Sequence, residues 1–144
     1  MKCFIFVNIS RFIFYNGVIN MSKSCDNELP LYIDIERATR ENEFYRRVVY
    51  TDCKMQVALM RLTPGQEIGL ERHMNSTQFF RCETGTGVIM IDGKEYPILP
   101  GAAVTVPQKS LHNVINTGNV DLGVYTIYSA PTHEADKIDV VKPS

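Results

Sequence analysis

From residue 44 to residue 129 the chain is cut into short runs, apolar or alternating, separated by Gly, Pro, Asn and Asp. That punctuation limits the fold more than any other feature. The runs fall at 44–50, 55–62, 66–73, 78–83, 87–91, 94–99, 102–106, 111–116 and 121–129. None carries an apolar repeat at helical spacing over the roughly eleven residues that a helix assignment needs. Asp92-Gly93 is a two-residue hairpin signal, and Pro64-Gly65, Thr84-Gly85 and Pro100-Gly101 mark further turns. A run at 31–35 also alternates, and the polar stretch 37–43 reads as one helical turn. Short strands at regular spacing predict an all-β sandwich or barrel. Closing the barrel removes exposed edges and leaves an interior for one small ligand.

A chain of 144 residues has room for one such domain. Hydrophobic residues, at 44%, supply its core, and a net charge of -1 offers no basic face for nucleic acid. Residues 1–20 differ from the rest: they are rich in Phe and Ile, hold Lys2 and Arg11, and contain no acid. Asn8 and Arg11 interrupt the apolar run, and no small-residue cleavage site precedes Met21. The segment therefore fits a secretory signal poorly and is too interrupted for a membrane span; an extension is the favoured reading, with an added strand or membrane-surface segment and a signal peptide as the alternatives. The expected organisation is an apolar extension at 1–20, a polar lead-in at 21–30, a barrel at 31–130 and a mobile tail at 131–144 with His133 exposed. Met21-Ser22 reads as the effective start. Cys3, Cys25, Cys53 and Cys82 form no CxxC pair, which argues against a zinc ribbon. They are read as free thiols of a cytoplasmic protein with no membrane partner, Cys82 lying in the core.

Chemistry concentrates between Pro64 and Gly118. Glu71 and His73 are two apart, so on a strand both point to one face. Gln78 shares its face with Phe80 and Cys82, and His112 shares its face with Val114 and Asn116. Glu71, His73, Gln78 and His112 are thus candidates for one inward cluster. It reads either as hydrogen-bonded polar core or as a metal site. Imidazole suits first-row divalent metals, and carboxylate and amide oxygens suit harder ones. Arg72 alternates with the pair and faces out. Lys109 precedes His112 and is a candidate substrate contact, while Phe80 and Tyr125 are candidate walls of a ligand pocket.

These residues resemble the two motifs of the cupin family. Gly65 is followed after five residues by Glu71-Arg72-His73, after four by Gln78 and after six by Gly85. Glu71 stands where that family usually has its first histidine, and Gln78 where it has a glutamate. In the second motif Gly101, Pro107, His112 and Asn116 match, and Lys109 replaces a glycine. The segment is similar to small single-domain cupins with a GLE-x-H and Q-F pattern. The resemblance implies an all-β, single-domain jelly-roll barrel of short antiparallel strands covering about residues 31–130. It implies Glu71, His73, Gln78 and His112 as ligands of a divalent metal ion (Zn, Mn, Fe or Ni). It also implies a homodimer acting on a small-molecule substrate or ligand, formed through outer-face positions such as those on 44–49 and Phe79. Cupins of this group are similar to mannose-6-phosphate isomerase, so the expected activity is a metal-dependent sugar-phosphate isomerisation. A metal-dependent dioxygenase and a non-catalytic small-molecule binder are the alternatives. A metal-free epimerase is less favoured, because both inward histidines fall in motif slots, although Tyr125 and Tyr128 keep it open. No residue is assigned as catalytic.

Overall fold

The computed structural model describes residues 29–144. The expectations for residues 1–20, and for Cys3 and Cys25, lie outside the described residues. One short helix, α1 (Ile35–Arg40), precedes nine strands: β1 (Arg46–Thr51), β2 (Gln56–Leu62), β3 (Thr77–Thr84), β4 (Gly87–Ile91), β5 (Lys94–Ile98), β6 (Ala103–Val106), β7 (His112–Asn116), β8 (Leu122–Ser129) and β9 (Ile138–Asp139). They form a six-stranded sheet in the order β6-β3-β8-β2-β1-β9 and a three-stranded sheet in the order β5-β4-β7. Every pairing is antiparallel. This is the jelly-roll arrangement that the punctuated strands predict.

The β4–β5 hairpin turns at Asp92-Gly93, where both residues have positive φ, 47° and 80°. Two successive left-handed residues are what a type I′ turn requires, and glycine takes the second at no steric cost. Three expectations change. The run at 31–35 is not a strand, because the Asp34 side chain accepts from the Arg37 amide at 3.1 Å and starts α1 at Ile35. The run at 66–73 makes only two isolated bridges, Glu67 to Ile115 and Glu71 to His112. Gly69 breaks it, with φ of 102° in a region that closes a strand. The segment expected as a mobile tail adds β9 to the large sheet, where Arg46 pairs with Asp139 and Arg47 with Ile138.

The inner faces of the two sheets meet in one core. Tyr45, Met60, Leu62, Ile68, Phe80, Cys82, Ile89, Ile91, Ile98, Val106, Val114, Leu122 and Val124 form a single buried cluster. Each such side chain contributes about 1.5–3 kcal/mol when fully buried. Cys82 is a free, buried thiol as read from the sequence, and burial pushes it up to about 11, so it stays protonated. Cys53 is disulfide-bonded, which corrects the free-thiol expectation at that position. Strand alternation then fixes the polar interior. Gln78 on β3 lies opposite Tyr128 on β8, so both point inward with Phe80 and Thr126. Arg46 on β1 lies opposite Met60, placing its side chain on the same inner face.

Candidate metal centre

Glu71 and His112 are brought face to face by backbone bonds in both directions: the Glu71 amide donates to the His112 carbonyl at 2.8 Å, and the His112 amide donates back at 2.9 Å. Asn113 holds the preceding turn. Its amide group donates to Glu67 Oε2 at 2.7 Å and its oxygen accepts from the Gly69 amide at 2.9 Å. His73 is steadied through its carbonyl, which accepts from the Lys109 amide at 2.8 Å. Lys109 has φ of 68°, a left-handed value that explains why glycine is usual at this motif position.

The four residues singled out by the sequence come together at one end of the barrel. His73 Nε2 lies 3.6 Å from Glu71 Oε2, and His112 Nε2 lies 4.0 Å from the same oxygen. Gln78 Oε1 lies 3.0 Å from His112 Nε2, and the two imidazole centroids are 5.2 Å apart. Glu71, His73 and His112 each offer one ligand atom, all within 4.8 Å of one another. Gln78 and His112 are almost wholly buried; the side chains of His73 and Glu71 are 16% and 27% exposed, so the cluster is open on their side.

The hydrogen bonds leave two nitrogens conspicuous. Burial lowers the His112 pKa and keeps the ring neutral, with one N–H. Its Nδ1 faces the Ser110 carbonyl at 3.1 Å, so the proton belongs there and Nε2 presents a lone pair to Gln78 Oε1. Turning the Gln78 amide over would answer His112, although Gln78 Nε2 already donates to Thr126 Oγ1 at 2.9 Å. His73 has no such remedy: its Nε2 is buried without a hydrogen-bond partner, and 3.6 Å from Glu71 is too long for one. Burial pushes the Glu71 carboxyl up, but the facing His73 ring and the Arg46 guanidinium outweigh it and hold the pKa below its ordinary value.

Phe80 is buried beside the cluster, its ring centroid 6.3 Å from that of His112. Lys109 and Arg72 are exposed. Tyr125 is a correction. Val124, Thr126 and Tyr128 take the inward positions of β8, so Tyr125 points to the outer face, where it packs 6.3 Å from the Phe79 ring. His133 is another. It is not exposed: its amide donates to Gln56 Oε1 at 3.0 Å and its Nε2 lies 3.2 Å from the Tyr128 hydroxyl. Burial, then the positive charge of Arg46, brings its pKa down to about 4. Tyr128 stands edge-on to both His73 and His133, at 5.5 and 5.1 Å, and burial raises its hydroxyl pKa. Arg46, which no sequence motif singles out, also borders the cluster, its guanidinium 3.9 Å from Glu71 and 3.2 Å from Asp139. The adjacent Arg46-Arg47 pair was its only trace, since on a strand one of two neighbours must face inward.

Comparison with known proteins bears on the family and the fold. A Cupin domain profile matches residues 58–128. The solved structure of BH2720 from Bacillus halodurans has a TM-score of 0.78 at 32% identity, covering 81% of this chain and 93% of that one. The chain belongs to the cupin superfamily. This cupin is 41% identical over 110 residues to the uncharacterized protein YrkC of Bacillus subtilis, a match covering 72% of the chain and 59% of YrkC. The chain thus spans less than two thirds of that relative's length. An oxalate-binding protein of Thermotoga maritima is 35% identical over 65 residues, 45% of this cupin and 54% of that relative. Among the described residues no helix is long and apolar enough to cross a membrane.

Proposed function

We propose that Glu71, His73, Gln78 and His112 hold one divalent metal ion, and that this cupin binds a small oxygen-rich ligand at it. The observation that carries the reading is the buried, unpartnered Nε2 of His73, aimed into a space already bordered by Glu71 and His112. A buried polar atom without a partner is costly, and a cation removes that cost together with the lone-pair conflict at His112. The donor set of two imidazole nitrogens, a carboxylate and an amide oxygen fits Mn, Fe, Ni or Zn. The Ser110 carbonyl fixes the His112 tautomer, as outer partners of metal-bound histidines do.

When bound, such an ion supplies a Lewis-acidic centre for an oxygen of the ligand. Glu71 contributes the one negative charge of the set, so a divalent site keeps net positive charge and favours an anionic ligand. The Thermotoga relative, an oxalate-binding protein, supports a small carboxylate as the ligand class. Phe80 excludes water from the inner side of the cluster. The isomerase and dioxygenase readings require the same ion, and assays of mannose 6-phosphate isomerisation and of oxygen uptake separate them from plain binding. Pairing of two copies through the outer sheet face at Phe79 and Tyr125 belongs to the same proposal, and light scattering reports it.

The test is calorimetric titration of chelator-treated protein with Mn²⁺ and Zn²⁺. One ion per chain is expected, with affinity lost in Glu71→Ala and His73→Ala. Equal affinity in both variants would defeat the ligand assignment.

A further inference from the structure

A second buried polar atom lacks a partner in this cupin, and it belongs to Arg46. The Arg46 side chain is only 8% exposed. Its Nη1 donates to Asp139 Oδ2 at 3.2 Å, and its guanidinium lies 5.4 Å from the centroid of the neighbouring Tyr45 ring. Its Nη2 approaches Glu71 Oε1 only to 3.9 Å, beyond hydrogen-bond reach, and its Nε is buried with nothing to bond. In a planar guanidinium the Nε–H and one Nη2–H run parallel and form a two-pronged donor edge. Asp139 therefore takes Nη1, while the Nε/Nη2 edge, whose Nη2 is the nitrogen near Glu71, makes no hydrogen bond. Glu71 is itself a proposed ligand of the ion, so this edge lies next to the metal position.

We infer that Arg46 is an anion-binding subsite, and that the ligand of this cupin is a short dicarboxylate with one carboxylate at the ion and the other on the Arg46 Nε/Nη2 fork. The inference rests on the proposed metal site and names its ligand class. Two coplanar carboxylate oxygens match two parallel N–H groups, the geometry in which arginine binds carboxylates most strongly. Phosphate is the rival for such a fork. Asp139 and Glu71 already place two negative charges beside the one positive charge of Arg46, so a doubly charged phosphate is repelled there more strongly than a singly charged carboxylate. Lysine cannot replace the fork, because an ammonium is a point charge without paired, parallel donors.

Zn²⁺-loaded full-length protein is titrated with acetate, malonate, succinate and inorganic phosphate, in the wild type and in Arg46→Lys. Expected is a fall of about tenfold to a hundredfold in affinity for a dicarboxylate in Arg46→Lys, the size of a lost charge-assisted bidentate pair. Acetate affinity and zinc stoichiometry should be unchanged. Acetate binding also shows that the variant is folded and loaded. A second measurement needs no substitution: the Nε–H resonance of Arg46 in arginine-labelled, zinc-loaded wild type should move on adding malonate or succinate and stay in place on adding phosphate. Wild-type dicarboxylate affinity in Arg46→Lys, or a fixed Arg46 Nε–H at saturating dicarboxylate, overturns the subsite. A phosphate-induced shift of equal size overturns the ligand class. Failure of the wild type to take up zinc defeats the metal reading instead, and the subsite with it.

Discussion

Gln78→Glu should weaken the metal-free protein and strengthen the metal-bound one. Gln78 is fully buried, and its Oε1 is 3.0 Å from His112 Nε2, which is 4.0 Å from Glu71 Oε2. A carboxylate at position 78 would therefore stand no more than about 7 Å from that of Glu71. With an effective dielectric constant of about 20, two negative charges at that distance repel by about 2 kcal/mol. Loss of the amide donor to Thr126 Oγ1 adds about 1 kcal/mol. In chelator the midpoint of thermal unfolding should fall by roughly 10 °C, at about 3–4 °C per kcal/mol for a domain of this size. Excess Mn²⁺ should reverse the order, because a second carboxylate in the ligand set raises affinity by at least about tenfold, and binding to the native state alone stabilises it. Paired melts in chelator and in Mn²⁺ read both effects. An equal loss of stability in both conditions would refute the reasoning, since position 78 would then be an ordinary core site.

Lys109→Gly should stabilise by up to about 1 kcal/mol in denaturant titration, because glycine takes φ of 68° without the strain that a side chain meets there. Phe80→Ala should cost about 3–5 kcal/mol in the same measurement, the range for an aromatic removed from a packed core. Metal-free stability should fall as the medium is acidified from pH 7 to pH 4. His112 and His133 titrate lower in the folded protein, so the unfolded chain takes up their protons first, below about pH 6.5. Glu71, also lowered, adds its loss toward the acid end as pH falls through its folded pKa. A flat profile over that range, followed by circular dichroism, would contradict the burial of these groups.

Strand alternation made most of the site legible. The face-mates Phe80 and Cys82 already placed Gln78 inward, whereas Glu71 and His73 come together although their segment makes only an isolated bridge at Glu71 and is not the strand their spacing assumed. What alternation could not supply was register. Tyr125 and Tyr128 both lie on β8, and only the pairing of Gln78 with Tyr128 decides which one reaches the cluster. The same gap hid Arg46, indistinguishable from Arg47 until its pairing with Met60 sets the inner face. The run at 66–73 looked like a strand because its residues suit one, but Gly69 interrupts it. His133 and β9 were hidden for another reason. Their segment is polar, and it is held by long-range bonds to Gln56 and Arg46 that no local pattern encodes.

Whether Glu71, His73, Gln78 and His112 hold a metal ion is decided by elemental analysis of natively purified protein. About one divalent transition metal per chain is expected in the wild type and far less in a Glu71→Ala, His73→Ala double variant that melts cooperatively. Wild-type protein that carries no metal, and takes up none from Mn²⁺, Fe²⁺, Ni²⁺ or Zn²⁺ at pH 7, would contradict the metal assignment.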